Sequence, residues 1–306
     1  MRPNPSANPE TLFDRPVIIL AAPRSGSTLL FETLAKATEV WTIGGESHQI
    51  IEGLVELSPG SGRVNSNRLT AGDATEQTIN AIQKDFTRRL RDRQGRRWSE
   101  SLGIKRLRFL EKTPKNALRQ PFLDKIFPGA YYIYLYRDPR ENISSMMDAW
   151  ESGRWVTYPG LENWSGLPWS LLLPPGWERL SGCPLEQVCA FQWEAANRII
   201  LDDLSGLPPQ RWTAIDYGSL TQTSDAAVRR LCAYLEISVD EKLSAKLAKP
   251  LPLARFTLSR PKPEKWRKNE AAIHSVLDSV QATDKRAKEV LGLCRDSGHA
   301  VENATQ

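Results

Sequence analysis

One stretch, Pro16–Lys36 (PVIILAAPRSGSTLLFETLAK), restricts the fold more than any other part of this chain. Val17–Ala22 is a short apolar run rich in β-branched residues, the pattern of a strand buried on both faces. Pro23-Arg24-Ser25-Gly26-Ser27-Thr28 interrupts it, after which Leu29, Leu30, Thr33, Leu34 and Ala37 recur at helical spacing. The order is strand, tight loop, helix. Loop N–H groups and a helix N-terminus then converge on one point, which favours an anionic group such as a phosphate. Gly26 lets the backbone approach closely, Ser25, Ser27 and Thr28 add hydroxyl donors, and Arg24 adds fixed positive charge.

The loop differs from the nucleoside-triphosphate P-loop, G-x-x-x-x-G-K-[ST], whose lysine reaches the β- and γ-phosphates. Ala21 stands where that pattern has its first glycine and Ser27 where it has its lysine. Pro23–Thr28 instead resembles the 5′-phosphosulfate loop of sulfotransferases, P-[RK]-[ST]-G-[ST]-T, enzymes that use 3′-phosphoadenosine 5′-phosphosulfate (PAPS) and release 3′-phosphoadenosine 5′-phosphate (PAP).

Further along, Val40–Ile43 reads as a short strand leading to Gly44-Gly45-Glu46-Ser47-His48, and Thr75–Arg97 has helical spacing with a basic end. Phe109-Leu110 closes another strand before Glu111-Lys112-Thr113-Pro114, and a helix is expected through Ala117–Ile126. Ala130–Tyr136 (AYYIYLY) is a strand dense in aromatic and β-branched residues, followed by an Asp138-Pro139-Arg140 turn and a helix over Glu141–Trp150. Gln187–Leu204, Ala226–Leu235 and Glu270–Leu293 read as helices, and Trp212–Ile215 as a strand. This alternation predicts an α/β fold with a central parallel sheet flanked by helices, the P-loop-like three-layer arrangement. A flexible tail is expected over 1–14 and a single domain over 15–306. Within that domain the segment 150–184 carries five tryptophans, many Gly and Pro, and no sustained period. It is either a lid or acceptor wall, or a satellite packing cluster.

The resemblance extends beyond the first loop. Sulfotransferases hold the 3′-phosphate with an arginine at a strand end and a serine eight residues later, which implies Arg137 and Ser145 here. Asp216-Tyr217-Gly218-Ser219-Leu220 is similar to the family's adenine-contacting segment, which implies that role for Tyr217. Ser259–Asn269 resembles a cofactor-closing loop, with Lys265 and Trp266 as its K-W pair. Lys112 matches the family lysine that, with Arg24, neutralises the departing phosphate. The histidine base of cytosolic sulfotransferases is replaced by Pro114. Tyrosylprotein sulfotransferases, the branch this chain resembles most, place a glutamate about twenty residues after the phosphosulfate loop, which implies Glu46 as base. His48 is second, its imidazole suited to neutral pH, and Glu111 is third, with pairing to Lys112 as its alternative. In-line transfer to a hydroxyl or amine acceptor needs positioning, proton removal and charge neutralisation, and demands no metal. A divergent P-loop kinase or a non-catalytic nucleotide-binding protein are the alternatives.

A net charge of +5 suits an anionic ligand, but no helix-turn-helix or RNP-type motif accompanies it, so nucleic acid is not expected. No apolar run approaches bilayer length, the first residues lack the apolar core of a signal peptide, and the four cysteines are scattered. Those features predict a chain without a membrane span, in the cytoplasm. The acceptor is a small molecule, a lipid or polyketide-like hydroxyl compound, a carbohydrate or a peptide tyrosine, since all of these pack against tryptophan.

Overall fold

Five parallel strands organise the computed structural model, which describes residues 12–61, 63–260 and 262–296. In chain order the elements are β1 (Val17–Leu20), α1 (Ser27–Leu34), β2 (Val40–Trp41), α2 (His48–Ile51), α3 (Glu76–Arg89), β3 (Arg108–Lys112), α4 (Gln120–Ile126), β4 (Tyr131–Tyr136) and α5 (Pro139–Glu151). They continue with β5 (Val156–Tyr158), β6 (Trp169–Ser170), α6 (Leu185–Ser205), β7 (Trp212–Asp216), α7 (Tyr217–Gln222), α8 (Ser224–Leu235), α9 (Glu241–Leu247) and α10 (Glu270–Asp296). The sheet order is β2-β3-β1-β4-β7. β1 is therefore central, and the chain passes to one side of it for β2 and β3 and to the other for β4 and β7. Ligands in open parallel sheets bind beyond the carboxyl ends of the strands at such a reversal.

Alternation along the strands divides the core into two layers. Ile18, Leu20, Phe109, Tyr132, Tyr134 and Tyr136 face one layer, closed by α3 to α6 and α10. Val17, Ile19, Leu110, Ile133 and Leu135 face the other, closed by α1, α8 and α9. Each fully buried aliphatic side chain contributes about 1.5–3 kcal/mol, which is why β1 and β4 appear in the sequence as unbroken apolar runs. Tyr134 keeps its hydroxyl satisfied in the core by donating to Asn197 Oδ1 at 2.7 Å.

Several expectations change at their edges. Phe13, assigned to the flexible tail, is buried and packs edge-on against Phe127 with centroids 5.1 Å apart, while residues 1–11 lie outside the described residues. The helix expected over Ala117–Ile126 is a 3₁₀ turn (Pro114–Leu118) followed by α4. Pro121 is tolerated only in the first turn of a helix, so the α-helix restarts there. α3 stops at Arg89 because Arg91 pairs with Thr42 in an extended bridge.

The tryptophan-rich segment contains an antiparallel hairpin, β5–β6. Trp150, Trp164, Trp169 and Trp177 form a packing cluster, Trp164 and Trp169 meeting edge-on at 4.7 Å. Trp150 and Trp169 are buried with their indole N–H groups bonded to Gln192 Oε1 and Leu172 O, both at 3.0 Å. Trp155 stands apart from this cluster and faces the cavity described next. Packing and wall are thus divided among different tryptophans.

Candidate active site

Every strand of the main sheet delivers a polar residue to the same end. The loop after β1 carries Arg24–Thr28, the turn after β2 carries Glu46 and His48, β3 ends on Lys112, β4 is followed by Arg137, and β7 by Tyr217. A cavity of about 380 Å³ opens there, lined by Arg24, Gly26, Ser27, Thr28, Glu46, His48, Arg137, Ser145, Tyr217, Lys265 and Trp266 among others.

Gly26 caps α1 with φ 92°, a left-handed conformation that glycine adopts without strain. A Cβ there would meet Tyr217 Cδ2 at 2.5 Å, so the ring of Tyr217 rests directly on the loop. The Cδ2–Cε2 edge of that ring meets the loop, and the Arg137 guanidinium lies 4.4 Å from its centroid. Arg137 Nη1 also donates to the Arg24 carbonyl at 2.8 Å, and its Nε and Nη2 meet Glu141 Oε2 at 3.2 Å. Arg24 donates Nη1 to the Phe256 carbonyl at 3.0 Å and lies 4.5 Å over the Trp155 ring. Burial and the Arg137 charge lower the Arg24 pKa. Ser27 and Thr28 line the cavity at the first turn of α1, where N–H groups have no intrahelical acceptor.

Ser25 departs from its expected role. Its hydroxyl donates to Asn142 Oδ1 at 2.7 Å, its N–H donates to Ala22 O at 3.3 Å, and the buried side chain does not line the cavity. Asn142 in turn donates to Pro23 O at 2.8 Å, so Ser25 ties the loop to α5.

Lys112 is buried, its Nζ donating to Glu46 Oε1 at 2.5 Å and to Thr28 Oγ1 at 3.0 Å. Glu46 stands between this ammonium and the cavity, with its Oε2 at 3.8 Å from His48 Nδ1. Burial, then the Lys115 ammonium, lowers the His48 pKa below its ordinary value, with Glu46 opposing. The imidazole is accordingly neutral near pH 7. Glu111, the third base considered, neither reaches the cavity nor pairs with Lys112. It is the neighbouring residue on β3 and so projects to the opposite face, where Ser47 and Thr113 bond it.

Ser145 lines the cavity from α5, beside Ser144, which accepts from Asn269 Nδ2 at 3.1 Å. Lys265 reaches Asp148 at 3.2 Å and also bonds Ser259, while Trp266 is buried beneath the Arg140 guanidinium, 5.3 Å from the ring. The segment predicted to close the site is therefore seated on α5.

The sequence profile of the sulfotransferase family matches residues 16–241, which include all five strands of the main sheet. The chain belongs to the sulfotransferase family. Protein-tyrosine sulfotransferase A of Caenorhabditis elegans is 24% identical over 229 residues, 74% of this chain. The chain spans about half (51%) of that relative's length. A solved sulfotransferase from Alicyclobacillus acidocaldarius is similar over 94% of this chain and 97% of its own, with 13% identity and a TM-score of 0.49. The sulfotransferase domain from the curacin biosynthetic pathway covers 87% of this chain and 96% of its own, at 19% identity and a TM-score of 0.44.

Sequence reasoning missed several groups of this sulfotransferase's site. Asp148 occupies a helix position that reads as solvated and Phe256 a segment with no motif, while Trp155 was expected only as one of five tryptophans of a wall or packing segment. A buried charge cluster behind His48 was also missed: Glu52 accepts from Lys115 at 2.6 Å and from Arg119 at 2.5 Å, and Lys115 donates to Tyr158 OH at 2.9 Å. The only signal available was the charge of Lys115, just before the helix expected over Ala117–Ile126, and of Arg119 within it. Among the described residues no group of three or more His, Cys, Asp or Glu side chains is arranged to hold a metal, and no helix is long and apolar enough to cross a membrane.

Proposed function

We propose that this sulfotransferase moves a sulfonate group from PAPS to a hydroxyl acceptor, with Glu46 as general base. The observation that carries the reading is the convergence on one cavity of Arg24, Gly26, Ser27, Thr28, Glu46, Arg137 and Ser145, with the buried Lys112 paired to Glu46 behind its wall. The donor set fits an anionic nucleotide: Arg24 Nε is buried without a hydrogen-bond partner among the described residues, beside the first turn of α1. Gly26, Ser27, Thr28 and Arg24 would hold the 5′ end, Arg137 and Ser145 the 3′-phosphate, and Tyr217, Lys265 and Trp266 the adenine and the closing segment. Ser25 supports the loop from behind.

PAPS supplies, when bound, an activated sulfonate on a phosphate leaving group. Lys112, held by Thr28 and Glu46, presents positive charge where negative charge grows on that group. Its bond to Glu46 Oε1 leaves Oε2 to take the acceptor's proton, and the same pairing orients the carboxylate toward the cavity. His48, neutral and 3.8 Å from Oε2, is the competing base. Glu46→Gln abolishing turnover while His48→Asn retains it assigns the base to Glu46; the reverse pattern assigns it to His48. Trp155, Leu171, Phe256 and Leu258 give the cavity an apolar side. That wall supports an aromatic or otherwise apolar hydroxyl acceptor, and the tyrosine-sulfotransferase relative supports a peptide tyrosine among them. The four cysteines are unpaired, in keeping with a cytoplasmic location.

The test is calorimetric titration with PAP, AMP and ATP, on wild type and Arg137→Ala. Each charge-assisted contact to the 3′-phosphate contributes about 1.5–3 kcal/mol. Preferential PAP binding without added Mg²⁺, weakened about 10–100-fold in Arg137→Ala, is expected. Equal affinity for AMP and PAP, or preference for Mg-ATP, refutes it in favour of a divergent kinase.

A further inference from the structure

Glu111 is fully buried on the face of β3 opposite Lys112. One carboxyl oxygen is heavily used: Oε1 accepts from Ser47 Oγ at 2.5 Å, Thr113 Oγ1 at 2.7 Å and Asn116 Nδ2 at 3.1 Å. The other is bare. Oε2 is buried with no hydrogen-bond partner among the described residues, and so is Asn116 Oδ1. Two orphaned acceptors therefore belong to side chains already bonded to each other. The charged groups facing Glu111 are Lys112 and Glu46, and they are paired with one another at 2.5 Å. Lys112, the cation that acts most on Glu111, is thus already engaged by another carboxylate.

A single proton accounts for these observations. A carboxylic acid and a primary amide pair through two hydrogen bonds, the amide N–H to the acid's carbonyl oxygen and the acid O–H to the amide oxygen. Asn116 already makes the first. A proton on Oε2 supplies the second and satisfies both orphaned acceptors, whereas an ionised carboxylate would be left buried with one oxygen unpaired. We infer that Glu111 is a neutral carboxylic acid in the folded enzyme, paired in this way with Asn116, and that it is the positioning residue for the base-bearing turn. The Ser47 hydroxyl donates to Glu111 and the Ser47 N–H donates to Thr113 Oγ1 at 2.7 Å, so Glu111 fixes the residue between Glu46 and His48. Burial pushes the Glu111 pKa up, which agrees with the hydrogen-bond pattern. Neutrality also has a use. An ionised Glu111 would add a second negative charge within the field of Lys112 and Glu46, and a protonated Glu111 anchors Ser47 without it.

The positioning role rests on the assignment of Glu46 as base; the protonation state does not. Infrared difference spectra of wild type against Glu111→Gln, at neutral pH and without turnover, should show a protonated carboxyl C=O band present only in wild type. In the kinetic arm, Glu111→Ala is expected to lower kcat tenfold or more with the PAP dissociation constant unchanged within about threefold. Glu111→Gln, whose amide reproduces the pairing with Asn116, should recover most of that loss. In wild type, kcat should fall on the alkaline side as Glu111 ionises, a limb absent from Glu111→Gln. A carboxylate band alone in wild type, as from an ionised Glu111 bridged by a buried water, overturns the inference, and so does equal kinetic damage in the Gln and Ala variants. Should Glu111→Ala fail to fold, the infrared spectra and the alkaline limb of Glu111→Gln still decide. A wild-type protein without sulfotransferase turnover would sink the assigned reaction instead, with the infrared result unaffected.

Discussion

Gly26→Ala separates the backbone requirement of the loop from its packing requirement. At φ 92° an alanine carries the left-handed penalty of about 1–2 kcal/mol, borne by the folded state. Its methyl would also lie 2.5 and 2.6 Å from Tyr217 Cδ2 and Cε2, where ordinary carbon contact is about 3.5–4.0 Å. Because the contact is with the ring edge, the ring must retreat by roughly 1 Å along its own plane, which slides it off its position 4.4 Å from the Arg137 guanidinium. Loss of that cation–π contact costs about 0.5–2 kcal/mol, and Arg137 loses the surface that orients it. PAP affinity should fall about 3–30-fold, with melting lowered by roughly 2–4 °C per kcal/mol of backbone strain. Calorimetry on Gly26→Ala, Tyr217→Ala and the double variant resolves the two contributions. Once Tyr217 is alanine, adding Gly26→Ala should lower the melting temperature as before but weaken PAP binding little further. Wild-type PAP affinity in Gly26→Ala, or full additivity in the double variant, would refute the reasoning.

Three further outcomes follow from the same geometry. Lys112→Ala should reduce kcat about 10²–10³-fold with PAP binding changed only severalfold; equal losses in kcat and affinity would assign Lys112 to binding instead. His48 should titrate below about 6.5, because burial and Lys115 disfavour its imidazolium, and Lys115→Met should raise that value in an NMR titration of the ring protons. The folded chain then binds fewer protons than the unfolded one, so this residue's contribution to stability is lost as pH falls from about 6.5 towards the folded pKa. A His48 pKa unmoved by Lys115→Met would contradict the assigned cause. Ser25→Ala leaves Asn142 Oδ1 buried without its donor, and should destabilise the fold by about 1–3 kcal/mol in thermal denaturation while keeping measurable PAP binding. Loss of PAP binding without loss of stability would restore Ser25 to the ligand side of the loop.

The parts of the fold legible in the sequence were those where one physical effect dominates. β1 and β4 are buried on both faces, so their apolar runs could be nothing else once Pro23 and the Asp138-Pro139 turn closed them. By contrast β2 is two residues long, and α7 is built from Tyr217, Gly218, Ser219 and Thr221, residues of modest or poor helix propensity, held by an Asp216 cap to Ser219 N at 2.8 Å. The site divides in the same way. Arg24, Glu46, Lys112 and Arg137 were legible because each sits just beyond or at a strand end, a place fixed by local order. The Ser25 hydroxyl was misread because its partner, Asn142, lies 117 positions away. Nothing local could reveal that the hydroxyl turns toward α5.

Arg24 shows why the irregular segments and the motif belong to one device. Its φ of 67° is uncommon outside glycine and, like other left-handed residues, costs about 1–2 kcal/mol. The conformation persists because three distant segments engage the residue at once. Arg137, following β4, donates to its carbonyl; Phe256, in the segment before Lys265-Trp266, accepts from its guanidinium; Trp155, between α5 and β5, lies beneath the guanidinium. The tryptophan-rich segment and the basic C-terminal segment are far apart in the chain, yet both meet this arginine at the cavity wall. A lysine at position 24 would retain the charge but not the planar fork that stacks on Trp155 while donating to Phe256. The loop motif thus specifies more than a charge beside a phosphate site. It specifies the side chain on which the walls of the cavity are assembled.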